Sequence, residues 1–317
     1  MTNLNVVVIG PPAFSKDIGK IGTSTDITFY NLKKGETTLT LVEPSRYPEK
    51  LSSLYFSVSL SEMAVVVVQE ITAALGESII MLDCAGITKG YLILRNYISL
   101  DQIAPLISGT VLEGYEILSD DSNLLRERLM SDAEQLQQAS GPGGIVPIDH
   151  HFNVKGIGTV ILGSVVAGSV HKHDQMVVFP TKKTAVVRSI QKHDDDVTDA
   201  VTGDRVGLAL KGIDDDELDR GYVLAPEHVV SVTKTIAGDL TVIPFWKEPI
   251  REQMILYIGH WMQFLPCRVT GCEKTPVPRM HHIELTSEQE VIYCPGDTAV
   301  LHYLEGNKLR IVGTIVL

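Results

Sequence analysis

The 317-residue sequence predicts an α/β domain followed by two antiparallel β-barrels, and three observations lead there. Residues 1–118 alternate short apolar strand candidates with helical segments, the pattern of a central sheet covered on both faces. The tract SGPGG, Ser140 to Gly144, then breaks the chain. Beyond it, β-rich runs recur between glycine and polar turns at barrel-like intervals. The boundaries that follow are an α/β domain at 1–140, a linker at 141–146 and barrels at 147–227 and 228–317.

In the first domain the strand candidates are Val6–Ile9, Thr38–Val42, Ala64–Val68, Ser78–Leu82 and Tyr91–Leu94. Pro48 to Glu62 reads as a helix with Leu51, Leu54 and Val58 on one face. Ser119 to Ala139 carries N-cap candidates and the apolar Leu124, Leu125, Leu129 and Leu136, and stops at Gly141-Pro142, so it reads as an amphipathic closing helix.

The first strand runs into VVVIGPPAFSKDIGK, Val6 to Lys20, which resembles a strand followed by a phosphate-cradling turn. Against G-x-x-x-x-G-K-[ST] only two of the four defining positions match: Gly10 and Lys16 fit, while Ser15 replaces the second glycine and Asp17 the hydroxyl. Pro11 and Pro12 have no N–H to donate, and the Asp17 carboxylate opposes a polyanion. Losing three hydrogen bonds to a charged group, at roughly 1.5–3 kcal/mol each, removes about 5–9 kcal/mol of binding. The degenerate turn is expected not to hold a nucleotide.

Composition narrows the function. The net charge of −12 opposes indiscriminate nucleic-acid binding, and DNA is not an expected partner. Cys84, Cys267, Cys272 and Cys294 are too scattered for a disulfide framework, which suits a reducing compartment. Neither a signal-like N-terminus nor a membrane-length apolar run is evident, so the expected location is the cytoplasm, with no membrane partner.

From Pro147 to Leu224 the pieces P-I-D-H-x-F, G-x-G-T-V, V-R-S-I-Q, G-D-R-V-G-L-A-L-K-G and R-G-Y-V-L follow one another. This succession resembles the second domain of translational GTPases, of the elongation factor Tu and selenocysteine-specific elongation factor kind. Gly156 and Gly158 allow a sharp turn between barrel strands, and Asp204 can close a turn through its side chain.

The resemblance implies that the first domain is a remnant of the family's GTPase domain. Val42, Glu43, Pro44, Ser45 and Arg46 stand in the places of the family's D-T-P-G-H, so Val42 offers no ligand to a magnesium shell and Arg46 replaces the water-positioning histidine. Arg95, Asn96, Tyr97 and Ile98 stand where N-K-x-D reads guanine. The carboxylate that would accept from the ring N–H groups is thus missing. GTSTDITFYN, from Gly22, is the expected vestige of a mobile switch, with Ser24 at the metal-binding threonine. No cofactor is expected; GTP and magnesium would enter only with a functional nucleotide site.

By position, the resemblance also places Asp149, His150, Phe152, Leu162, Gln191 and His193 around a pocket for the aminoacylated end of a tRNA. Phe152 would stack there while Gln191 and the histidines form hydrogen bonds; the alternative is that Phe152 and Leu162 are barrel core and the polar groups solvated. Weaker candidates are a zinc set from Cys267, Cys272 and Cys294 with His260, His281 or His282, and cation sites at Asp194–Asp196 and Asp214–Glu217. For these, buried strand cysteines and solvated loops are the ordinary alternatives. Lys182, Lys183 and Arg188 form a small basic cluster. The expectation is a binding module for tRNA or the ribosome that does not hydrolyse GTP; the alternatives are a working GTPase with a divergent site, or a structural or regulatory partner of a genuine elongation factor.

Overall fold

The computed structural model describes residues 2–137, 139–306 and 309–317. The chain divides into two compact units, one of residues 1–137 with 306–310 and the other of residues 138–305 with 311–317.

The first unit runs through β1 (Thr2–Ile9), β2 (Lys20–Ser24), β3 (Thr28–Lys34), β4 (Thr37–Glu43), α1 (Leu51–Ser59), β5 (Met63–Val68), α2 (Ala73–Cys84), β6 (Gly90–Leu94), α3 (Leu100–Ile107), β7 (Glu116–Leu118) and α4 (Ser122–Gln135). Its sheet has the order β2-β3-β4-β1-β5-β6-β7. The five strands from β4 to β7 are parallel, and β2 and β3 join antiparallel at one edge. All of β5 is buried, as a strand covered on both faces must be. Helix α4 lays Leu125, Leu129, Met130 and Ala133 against Leu4, Val6 and Val8 of β1. Because β4 and β5 flank β1, the chain switches direction at β1, and the crevice beyond its C-terminal end is where such sheets place ligands.

Ser78–Leu82 is not a strand. It forms the middle of α2, whose first turn is capped by Thr72 Oγ1 accepting from the Leu75 N–H at 3.2 Å. Its helix is buried through Ile79, Ile80, Met81 and Leu82, so the apolar run lost the alternation that distinguishes a helix from a buried strand. The switch-like segment from Gly22 forms most of the β2–β3 hairpin. Where a full helix after the first strand would stand there is only a 3-10 turn, Phe14–Asp17.

The second unit contains β8 (Val146–Val154), β9 (Gly158–Ser164), β10 (Ser169–His171), β11 (Gln175–Phe179), β12 (Lys183–Lys192), β13 (Asp195–Val197), β14 (Asp199–Val201), β15 (Arg205–Lys211), β16 (Val223–Ala225), β17 (Ser231–Val242), β18 (Ile255–His260), β19 (Gln263–Lys274), β20 (Met280–Tyr293), β21 (Thr298–His302) and β22 (Ile311–Val316). The first barrel runs β11-β16-β8-β9-β15-β12 and closes where β12 pairs back on β11. The second runs β17-β20-β19-β18-β21-β22 and closes where β22 pairs with β17. Each encloses its own apolar core, one around Ile148, Ile161, Val187 and Leu208 and the other around Leu240, Ile258, Val269 and Leu285. Gly156 and Gly158 take φ of 84° and 97° in the β8–β9 turn, as expected, and Asp204 accepts from the Val201 N–H at 2.9 Å to close its own turn.

Candidate functional site

The turn after β1 lies at the crevice where the sheet reverses, and its donors are already engaged. The Ala13 N–H donates to Glu43 Oε2 at 2.8 Å and the Ser15 N–H to Glu43 Oε1 at 2.7 Å. The Phe14 N–H reaches the Pro11 carbonyl at 3.3 Å, and the Lys16 N–H the Ala13 carbonyl at 3.2 Å. All four backbone donors from Ala13 to Lys16 therefore have acceptors. Glu43 is buried at the end of β4, beside β1, so its carboxylate reaches the turn in the manner of an anion held by backbone amides. Gly10 is required for packing, because a Cβ there would stand 2.7 Å from Val67 Cβ.

The other positions around this crevice are also committed. Ser15 is buried, whereas Lys16 and Asp17 are exposed, and the Asp17 carbonyl accepts from Arg126. Val42 is buried in the sheet and Arg46 is exposed. Arg95 forms a two-pronged ion pair with Asp120 at 2.8 and 2.6 Å, its guanidinium 5.1 Å from the Phe14 ring centre. Ile98 is half-buried, with its N–H on the Arg95 carbonyl at 3.0 Å. Ser24 Oγ lies 2.8 Å from Thr28 Oγ1, which lies 2.6 Å from Ser45 Oγ, so the hairpin hydroxyls are satisfied among themselves.

On the first barrel, strand register brings four residues into one row. His150 pairs with Leu162, Leu162 with Gly207, and Gly207 with Gln191, across β8, β9, β15 and β12. Phe152 stands two residues along β8 from His150 and is 40% exposed, so it is surface and not core. At Gly207 an added Cβ would find Leu162 at 3.4 Å and Gln191 at 4.0 Å, which leaves a shallow floor between them. Gln191 Nε2 donates to Asp196 Oδ1 at 2.9 Å, and His193 lies just past the end of β12 at φ 46°.

Asp149 is fully buried, with its carboxylate 2.5 and 2.9 Å from the Arg205 guanidinium and 2.6 Å from His150 Nδ1. Burial alone would raise its carboxyl pKa, but the Arg205 charge and the His150 and Arg205 hydrogen bonds outweigh it and hold the group at about 2. Asp149 therefore fixes the base of the row through Arg205 and orients His150. Sequence reasoning did not single out Arg205, Gly207 or Glu43 as site residues. The signal for Glu43 was its place at the C-terminal end of a strand parallel to β1.

The zinc set does not assemble: among the described residues no group of three or more His, Cys, Asp or Glu side chains could hold a metal ion. Cys267 is buried in the second-barrel core, and Cys294 Sγ approaches the Val229 carbonyl at 3.6 Å. Cys272 Sγ does meet His281 Nδ1, at 3.8 Å. The acidic segments are likewise used internally, Asp196 by Gln191 and Asp215 by His151 Nδ1 at 2.7 Å. In the basic cluster, Lys183 pairs with Glu217, and Arg188 Nη1 donates to the Ile157 carbonyl at 2.9 Å. Among the described residues, no helix is long and apolar enough to cross a membrane.

Comparison with known proteins adds four findings. The family model for elongation factor Tu domain 2 matches residues 158–225. An uncharacterized protein of Methanocaldococcus jannaschii is 40% identical over 301 residues, covering 94% of each chain. The selenocysteine-specific elongation factor of the same organism is 24% identical over 278 residues, which span 80% of this chain and 59% of that protein. Among solved structures, translation elongation factor SelB of Methanococcus maripaludis, in its apo form, matches all of this chain and 79% of its own with a TM-score of 0.82 at 21% identity.

Proposed function

Since the chain belongs to the SelB-like translational GTPase family, we propose that it is a translation-factor module that binds the aminoacylated end of a tRNA without a GTP cycle. The observation that carries this reading is the Glu43 carboxylate on the Ala13 and Ser15 amides. A phosphate entering the turn would have to displace two charge-assisted hydrogen bonds, roughly 1.5–3 kcal/mol each, and then sit beside the carboxylate it displaced. Two further features support the loss of nucleotide chemistry: the Val42 side chain gives a metal no oxygen, and Ile98 stands where a carboxylate acceptor for guanine is needed.

Binding then rests on the first barrel. Phe152 offers a ring to a base or an aminoacyl group, the floor at Gly207 admits it, and His150 and Gln191 supply polar edges. The test has two arms. Titration of the intact chain with a fluorescent GTP analogue and magnesium is expected to give no saturable signal in the micromolar range, and micromolar binding would end the nucleotide-independent reading. Retention of aminoacyl-tRNA is expected to be the same with and without GTP and weaker in Phe152→Ala. Absence of retention would reject the tRNA reading and leave the nucleotide result standing.

A further inference from the structure

The end of the second barrel where β17, β19 and β20 meet holds a cavity of about 330 Å³. Its lining joins the indole of Trp246 to three cations, Lys247, Lys274 and Arg279, and to the Cys272–His281 pair. Glu248 is the one acid in that lining. None of the three cations makes an ion pair with a carboxylate among the described residues. In a chain of net charge −12, three unpaired cations around one cavity are an uneven distribution that calls for an anion. Arg279 is presented from a left-handed backbone position, φ 61°, where its carbonyl accepts from the Val242 N–H at 2.8 Å.

We propose that this cavity is a binding site for a small phosphate monoester carrying a planar apolar body. Three cations against Glu248 in the lining and Glu252 beside Cys272 leave one positive charge in surplus, which draws the phosphate group of such a ligand to Lys247, Lys274 and Arg279. Val242, Ile250 and the face of Trp246 provide the apolar lining for the flat portion. Cys272 is not a nucleophile in this arrangement, since burial and the charge of Glu252 raise its thiol pKa more than Lys274 lowers it. The site lies wholly within the second barrel, so it is independent of the nucleotide-free reading of the first unit.

The test uses the intact chain and isothermal titration calorimetry with AMP as the probe. Saturable binding with Kd below about 1 mM is expected, with adenosine and inorganic phosphate each weaker by about tenfold or more. Lys274→Ala/Arg279→Ala replaces two exposed side chains, so its thermal midpoint should match the parent while its AMP affinity falls by at least about tenfold. No saturable heat with AMP, or an unchanged affinity in the double variant, would overturn the assignment. Adenosine binding as tightly as AMP would remove the phosphate from it, and inorganic phosphate binding as tightly would remove the planar body. Quenching of Trp246 fluorescence in Trp261→Phe provides the locating readout, and AMP binding without quenching would place the ligand elsewhere.

Discussion

Two buried carboxylates do most to shape the sites, and each can be tested singly. Asp149 has a folded pKa of about 2 against an ordinary 3.8, so its contribution is present above pH 4 and is lost as the pH falls towards 2. A shift of that size corresponds to about 2 kcal/mol. Asp149→Asn should therefore remove part of the acid sensitivity between pH 4 and 2. It should also destabilise the protein near neutrality, by about 3 kcal/mol, because the half-buried Arg205 guanidinium loses the carboxylate it pairs with. Acid and urea titrations followed by circular dichroism measure both; equal stability of the two proteins at pH 7 would rule out a structural role for the pair. At Glu43, Gln keeps one acceptor oxygen where the carboxylate has two, so Glu43→Gln strands either the Ala13 or the Ser15 N–H. A loss of about 1–3 kcal/mol is expected in chemical denaturation. In the sequence Asp149 was legible as a pocket candidate and Glu43 only as a letter within a motif, and neither showed its partners. Their partners lie 56 residues away for Asp149 and about 30 for Glu43, and a contact at that distance along the chain leaves no local pattern to read.

Elements with a long or alternating pattern were legible, and those whose pattern was erased by burial were not. The strands β1, β4, β5 and β6 and the helices α1 and α4 lie within or around the apolar runs that announced them. Helix α2 was mistaken for a strand because its run Ile79–Leu82 is apolar on every side. The cap of α4 offers a clean check on how local the closing helix is. Asp121 Oδ1 accepts from the Asn123 N–H at 2.8 Å and the Leu124 N–H at 3.2 Å, so Asp121→Ala should cost about 1 kcal/mol and lower the thermal midpoint without changing the fold. On the barrel, the row from His150 to Gln191 depends on strand register, which a single sequence does not display. Gly207 discriminates packing from binding there. An added Cβ makes only ordinary contacts, so Gly207→Val should stay within about 1 kcal/mol of the parent in stability while filling the floor of the row. Undiminished tRNA retention by that variant would mean that the ligand does not use the row.

At the scale of the whole molecule, charge decides what kind of nucleic-acid binder this chain can be. The barrels were legible because their turns and strand order repeat a family pattern, whereas the surface that a partner would meet follows from how separate segments combine. The net charge of −12 works against a broad phosphate-tracking interface, and of the cations in the cluster at 182–188, Lys183 is paired and Arg188 bonded to a carbonyl. If the first barrel holds the acceptor end through stacking on Phe152 and hydrogen bonds from His150 and Gln191, few counterions are released on binding. The expected slope of log affinity against log salt is then shallow, about −1 to −3, instead of the roughly −6 to −10 of proteins that neutralise many phosphates. Filter binding of aminoacyl-tRNA across a potassium chloride series measures it. Deacylated tRNA should bind less well over the same series, because the aminoacyl group loses its contact with the row. A steep slope that is the same for acylated and deacylated tRNA would locate binding on another surface and remove the barrel row from the account.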